Sequence, residues 1–408
     1  MNKKLKVGLI GMGGRGIGMV KGVFLKIDTT DVTAVCDLYS DRAQQGAELI
    51  SDKFGTKPLV TTNYMDVINS KDVEAVVIMS SWESHVEIAI AAMRAGKPVA
   101  VEVGCAYALE ECWELVKVYE ETKTPIMMLE NCCYGEKELM VLNMVRKGLF
   151  GEIVHCKGGY QHDLRSEIAD GEKNRHYRLR NYLNRNCHNY PTHEIGPISR
   201  ILNINYGNRM VSLNSVASKA VGLKGFINTQ RSDNEKLVNA RVEQGDVITT
   251  IIKCAHGETI TLTLNTTLPR YYCRGLEICG TGGMYSMEAN AIFLDGPHSE
   301  EEEFSIPKDS ADSYVQEHQH PIWDKYKKDG MIGYHGGMDG LVVSAFVDAV
   351  LNNTPMPIDV YDIATWMSIS VLSEQSILKG GAPVEFPDYT KGAWTTREYK
   401  AEGYYSLK

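Results

Sequence analysis

The stretch Lys6–Val20, KVGLIGMGGRGIGMV, decides the fold. An apolar run from Lys6 to Ile10 enters a glycine-rich turn, and a helical pattern follows. Gly11, Gly13 and Gly16 fit the spacing G-x-G-x-x-G, with Gly14 and Arg15 inside it. In a strand–turn–helix unit the first glycine permits the tight turn and the second lets the backbone approach a pyrophosphate. The third lets helix and strand pack closely. With 37 glycines in 408 residues such a spacing arises easily by chance, so its neighbours must carry the argument. A second apolar run, DVTAVCD, ends in Asp37, 21 residues after Gly16, where ribose hydroxyls are received. A carboxylate there repels a 2′-phosphate, which favours NAD over NADP.

The period then repeats. VEAVVIMSS reads as a strand, SHVEIAIAAMRAG as an amphipathic helix and KPVAVEV as a strand, followed by the helix ALEECWELVKVYEETK and the strand PIMMLEN. Strands alternating with helices of this length predict a doubly wound parallel sheet, a Rossmann domain over residues 1–131. Ligands of such sheets lie beyond the carboxyl ends of the strands. There the sequence places Ser80, Trp82, Glu83 and His85, then Glu102 and Val103, then Asn131. His85 reads either as a helix residue packing locally or as a cofactor contact, and its place in WESH favours the second.

From residue 132 the pattern changes. A helix and a strand lead to GGYQHD, and a basic, aromatic stretch follows, RHYRLRNYLNRNCHNYPTHEIGPISRILNINYG. VITTIIKC, ETITLTLNTT and GLEICGTGGMYSMEANAIFLDG alternate without helices between them, as antiparallel strands of a sheet with one open face. The prediction is a second, α+β domain over 132–408 with an open, mainly antiparallel sheet, its segment 385–408 able to pack back on the first domain. The acid-rich HSEEEEFSIPKDSADS reads as a solvated loop.

Composition excludes several classes. Net charge is −9, from 43 basic and 52 acidic residues with no dense basic tract, which argues against nucleic acid and anionic membranes. No apolar run reaches the ~20 residues of a membrane span. MNKKLKVGLIG leads straight into the glycine turn and reads as a first strand, not as an export signal. None of the ten cysteines forms a C-x-x-C pair, so free buried thiols in a cytoplasmic protein are expected. The histidines lack H-x-x-x-H spacing, and His318–His320 reads as a loop, so no metal is expected.

The second domain offers the groups for chemistry. Tyr160 and His162 leave a strand together, Tyr190 and His193 flank Pro191, and Arg178 precedes them. Thr192 could cap a helix whose dipole favours neutral His193, which suits a general base. The alternative is a capped helix with a surface histidine. Tyr, Arg and His clustered in an acidic protein suit a polyhydroxylated small molecule.

With these residues assembled, the chain resembles the glucose–fructose oxidoreductase/inositol dehydrogenase/MocA family, and within it glycoside hydrolase family 109, the NAD-dependent α-N-acetylgalactosaminidase-like branch. GMGGRG, CDL, WESH, VEV, MMLENCCY, GGYQHD, NYPTHEIGP, LNINYGNRM, LPRYYCRG, YHGGMD and FPDYTKGAW carry the resemblance. Sugar dehydrogenases of the wider family have Glu-Lys-Pro after the fourth strand; here the positions read Glu102-Val103-Gly104. A valine cannot move a proton. The resemblance implies Tyr160, Tyr190 and His193 as catalytic groups, with His193 the base, and sugar contacts at Tyr160, Arg178, Tyr190, His193 and Tyr272. It implies transient oxidation at sugar C3, loss of the C2 proton, elimination at C1, water addition and re-reduction, an exception to the two-carboxylate scheme. Against this stands a true sugar oxidoreductase that makes or reduces 3-keto sugars. A homo-oligomer, dimer or tetramer, formed through the open sheet face is also implied. Glu194 and Gly104 stand where the family pattern has Gly and Pro. A carboxylate beside His193 is expected to alter its basicity or the sugar preference.

Overall fold

A computed structural model describes residues 3–296 and 305–408. Residues 298–304 of the acid-rich stretch therefore lie outside the described residues. The chain forms two compact units. The first comprises 1–135, 321–365 and 399–408, and the second 136–320 and 366–398. Segments 321–365 and 399–408 thus belong to the nucleotide-type unit; the sequence placed 321–365 in the second domain and left 385–408 able to pack back on the first.

The first unit is built on a parallel sheet of β1 (Leu5–Ile10), β2 (Thr30–Cys36), β3 (Leu59–Thr61), β4 (Ala75–Ile78), β5 (Val99–Val101) and β6 (Ile126–Met128). Their order is β3-β2-β1-β4-β5-β6, so the winding reverses between β1 and β4. Register aligns the strand ends: Ile10 faces both Cys36 and Ile78, Ile78 faces Val101, and Val101 faces Met128. The residues that follow, Gly11, Asp37, Met79, Glu102 and Leu129, therefore emerge along one edge. The strands are buried on both faces, which explains their continuous Val/Ile/Ala runs. β3 was not read from the sequence. Its three residues are too few to show a period, and they are largely exposed.

The second unit carries an eight-stranded sheet in the order β13-β12-β11-β7-β10-β9-β8-β14. Its members are β7 (Ile153–Gln161), β8 (Met210–Ala217), β9 (Val247–Cys254), β10 (Thr259–Asn265), β11 (Glu277–Gly280), β12 (Gly283–Ser286), β13 (Ala291–Leu294) and β14 (Val384–Glu385). Every described pairing is antiparallel except β7 with β10. Along β9, Ile248, Thr250, Ile252 and Cys254 face the core, while Ile251 and Lys253 are exposed on the open face. The helix Val360–Leu378 contributes a row of fully buried serines, Ser368, Ser370, Ser373 and Ser376. All ten cysteines are unbridged and nine are buried. Among the described residues no helix is long and apolar enough to cross a membrane.

Candidate active site

The nucleotide half follows from the glycine turn. Gly11 has φ +101°, a left-handed conformation, and a side chain there would strike the Met79–Ser80 backbone. A side chain at Gly16 would strike the Gly11 carbonyl. At Gly14, by contrast, a Cβ would meet nothing within 4 Å, so the start of the helix Gly14–Met19 is left open. A bare backbone at a helix start is the kind of feature that suits a pyrophosphate. The buried Asp37 carboxylate accepts from the Met12 N–H at 2.7 Å and the Tyr39 N–H at 2.9 Å, tying the turn to the end of β2.

Arg15 and Asn131, expected separately as cofactor residues, are joined by one residue to which the sequence assigned no role. Asp339 receives both Arg15 terminal nitrogens at 2.9 Å, the Asn131 amide at 2.8 Å and His335 Nδ1 at 3.0 Å. Arg15 Nε donates to Glu102 at 2.8 Å. Asp339 is fully buried, which opposes its charge. Even so, the His335 and Arg15 hydrogen bonds hold its carboxyl well below the usual range. The only signal was the motif YHGGMD itself. Val103 is buried at the end of β5, and Glu83 is half-buried. Trp82 and His85 are buried on the helix Trp82–Arg94. His85 Nε2 lies 3.1 Å from the Ser80 carbonyl, and burial lowers its pKa to about 4.

A second cluster of functional side chains lies within the second unit. β7 delivers Tyr160, the loop before the helix Thr192–Ile201 delivers Tyr190, and the first turn of that helix delivers His193. The Tyr160 and Tyr190 rings lie 4.3 Å apart, and His193 meets them edge-on at 5.5 and 4.9 Å. Tyr190 OH is 3.4 Å from His193 Nε2, and Tyr160 OH is 3.1 Å from His162 Nδ1. Tyr272, 45% exposed, sets its ring edge-on to His162 at 5.1 Å. The Arg178 guanidinium lies over Tyr190 at 5.0 Å and pairs with Glu167 at 2.8 Å. All the residues expected to meet a sugar are thus gathered in one cluster, and His162, singled out earlier only as Tyr160's neighbour, belongs to it.

The expected Thr192 cap is absent. The helix begins at Thr192 itself, after Pro191, and the buried Thr192 hydroxyl makes no hydrogen bond. The loop is held by other means. Gln244 bonds the Cys187 backbone in both directions, at 3.3 and 3.0 Å, and takes the Asn189 amide at 3.1 Å. The His188 N–H donates to Ser373 Oγ at 2.8 Å, and Ser370 Oγ donates to the His188 carbonyl at 3.0 Å. No pattern in the sequence announced Gln244 or the serines.

Two family models cover the chain. "Glycosyl hydrolase 109, C-terminal domain" matches residues 134–396, and "Oxidoreductase family, NAD-binding Rossmann fold" matches 5–129. An α-N-acetylgalactosaminidase of Tannerella forsythia is 37% identical over 97% of this chain and 88% of its own. A glycosyl hydrolase family 109 protein of Parabacteroides distasonis is 36% identical over 97% and 89%. The chain belongs to glycosyl hydrolase family 109. As a member it is an NAD-dependent glycoside hydrolase on an oxidoreductase-type fold, with a nucleotide cofactor of NAD type and a carbohydrate substrate. The fold recurs in a levoglucosan dehydrogenase solved with NADH and levoglucosan (19% identity, TM-score 0.67, 95% of this chain and 100% of that one). It recurs again in an NAD-binding oxidoreductase from Klebsiella pneumoniae (14%, 0.71, 94% and 99%).

The two departures from the family pattern acquire physical accounts. Glu194 is buried. Its Cβ and Cγ fill the space over Gly158 of β7, each 2.6 Å from where a side chain there would begin. Its carboxylate lies 3.6 Å from Arg274 Nε, and Arg274 also bonds Glu138. Glu194 thus takes part in a Glu–Arg–Glu group with Arg274 and Glu138. Gly104 leaves room for His85, whose Nδ1 lies 2.8 Å from the position a Cβ would take.

Proposed function

We infer that the enzyme cleaves a terminal glycoside by transient oxidation at sugar C3, with NAD as the resident nucleotide. Asp37 supports NAD over NADP, since its carboxylate is fixed at the end of β2 where a 2′-phosphate would meet like charge. The fit of the cradle rests on the open Gly13–Gly14 backbone, with Arg15 and Asn131 held by Asp339 and Glu102 held by Arg15. Gly11, Gly16, Trp82, Glu83, His85 and Val103 complete the proposed cofactor set. The nicotinamide supplies a reversible hydride acceptor, which lets a C3 hydroxyl stand transiently as a ketone.

This chain's residues must do the rest. A C3 ketone makes the C2 proton acidic because its loss yields an enolate. We read His193, with Tyr190 OH 3.4 Å from its Nε2, as the group that takes that proton, and departure of the C1 substituent follows. Arg178 and Tyr272 are read as sugar contacts. Val103 is apolar where dehydrogenases carry a lysine, so proton handling falls to the tyrosines and histidines. The observation that carries the reading is this pair of tyrosine–histidine couples joined through adjacent tyrosine rings tilted at 35°.

The Tannerella relative's name makes α-linked N-acetylgalactosamine the first sugar to try. Release of phenol from an aryl glycoside without stoichiometric NADH supports the reading; NADH accumulating beside intact glycoside supports an oxidoreductase. His193→Ala is expected to abolish cleavage while the nucleotide stays bound, and near-normal cleavage would remove His193 from the mechanism. The exposed Val216 and Ile251 on the open sheet face suit a dimer or tetramer, and the unbridged buried thiols suit the cytoplasm.

A further inference from the structure

The reaction described above handles two protons on the sugar, one from the C3 hydroxyl and one from C2. His193 with Tyr190 accounts for one of them. The second unit holds a second couple of the same composition, formed by Tyr160 and His162. We propose that His162 is the proton acceptor behind Tyr160, and that this couple takes the proton of the C3 hydroxyl while His193 and Tyr190 serve C2.

The geometry favours a relay over a chance contact. Tyr160 and His162 stand at i and i+2 at the end of β7, so their side chains leave the strand on one side. The His162 backbone is fixed, its N–H donating to the Asn265 carbonyl at 2.9 Å. Its ring is held between Tyr160, at 5.8 Å, and Tyr272, at 5.1 Å. A neutral phenol, with a pKa of about 10, cannot keep an incoming proton unless it passes its own onward. The atom placed to receive that proton is His162 Nδ1, 3.1 Å away. The groups facing His162 are Tyr160, Tyr272, Arg178, His193, Glu167 and Asp163. Burial, then Arg178, lowers its pKa, with a smaller push from His193, against the pull of Glu167 and Asp163. The imidazole is therefore neutral and able to accept.

The step balances. The C3 hydroxyl proton moves to the Tyr160 oxygen as the Tyr160 proton moves to His162 Nδ1. The C3 hydrogen leaves with its electron pair to the nicotinamide, the oxidant of the proposed cycle, and the C3–O bond becomes a carbonyl. His162 holds the positive charge until the reverse transfer restores the alcohol.

The proposal rests on the C3-oxidation reading, so one measurement is independent of it. In cofactor-free protein with 15N-labelled histidine, His162 is expected to show an unprotonated Nδ1 accepting a hydrogen bond, a signature that shifts in Tyr160→Phe. A protonated Nδ1 in the wild type overturns the relay whatever the reaction. With nucleotide bound, His162→Ala is expected to lower kcat/KM on an aryl glycoside by about 100-fold, the low end for general acid–base catalysis. It should raise the isotope effect of 3-deuterated substrate, be partly restored by added imidazole, and leave nucleotide content unchanged. His162→Gln guards against collapse of the site and is expected to show the same isotope effect without rescue. Tyr160→Phe combined with His162→Gln should be no worse than the poorer single change. Additive losses, or an unchanged isotope effect in both His162 variants, overturn the proposal while leaving the glycosidase reading standing. If the wild type cleaves no glycoside and makes no NADH, the reading itself fails.

Discussion

Two histidines kept neutral by burial should make the protein lose stability on mild acidification, well above the range where carboxylates titrate. His85, in the first unit, and His188, in the second, are almost wholly inaccessible to water. Burial lowers His85 from 6.5 to about 4, opposed only weakly by the Ser80 carbonyl and Glu83, and lowers His188 to about 3. His188 meets the Thr250 hydroxyl at 3.3 Å through Nδ1, and its Nε2 has no hydrogen-bond partner. For both groups the folded value lies below the unfolded one. The unfolded chain therefore binds protons that the folded chain refuses, so stability is intact above pH 6.5 and falls as pH drops toward the folded values. At pH 5 each imidazole sits about 1.5 pH units below its unfolded value, worth about 2 kcal/mol at 1.36 kcal/mol per unit. That is a substantial part of the 5–15 kcal/mol of an ordinary domain. Urea unfolding at pH 7, 6 and 5 measures the fall, with probes reporting each unit separately because two-state behaviour of the whole chain is not assumed. His188→Gln should cost stability at pH 7 yet flatten the pH 7-to-5 slope of the second unit by about 2 kcal/mol. His85→Gln should do the same for the first. Variant and wild-type slopes that run parallel would refute the reasoning, because the difference between slopes does not depend on what each substitution costs at neutral pH.

Asp339→Ala removes the shared acceptor of Arg15, Asn131 and His335. It should cost about 3 kcal/mol, the lower end for breaking a buried pair because Arg15 keeps Glu102, and weaken nucleotide binding at least tenfold in a calorimetric titration. Gly158→Ala should destabilise by about 1–3 kcal/mol through overpacking against Glu194, measured by thermal unfolding, and combined with Glu194→Gly the loss should be smaller than the sum of the two single losses.

The sequence displayed what is periodic or local. The βα alternation, the glycine spacing and Asp37 were legible because each rests on neighbours in the chain. The parallel pairing of β7 with β10 was not, since a strand's own alternation carries no record of its partner's direction. Nor was the attachment of 321–365 to the first unit, which depends on contacts such as Tyr334 against Gly22 and Trp323 Nε1 to the Tyr134 carbonyl. In the site, Tyr160, Tyr190 and His193 stood out through their motifs. Asp339 and Gln244 act through partners far away in sequence, 208 residues in the case of Asn131, and residue type alone does not reveal such a role.

Glu194 and Gly104 show what a departure from a family pattern can mean. Each read in isolation as a change to the chemistry, a carboxylate added beside a base or a proline lost beside the cofactor. Each is matched instead by a neighbour in three dimensions. Glu194 fits because Gly158 gives up its side-chain volume and Arg274 supplies a cation. His85 occupies the volume Gly104 leaves, and is driven neutral by that burial. A carboxylate placed against the tyrosine–histidine couples would raise the basicity of a neighbouring histidine. The Glu194 carboxylate is paired with Arg274. The sugar preference of this chain should therefore be sought in the residues around His162 and Tyr272, and a Glu194→Gly variant should alter stability before it alters which glycoside is cleaved.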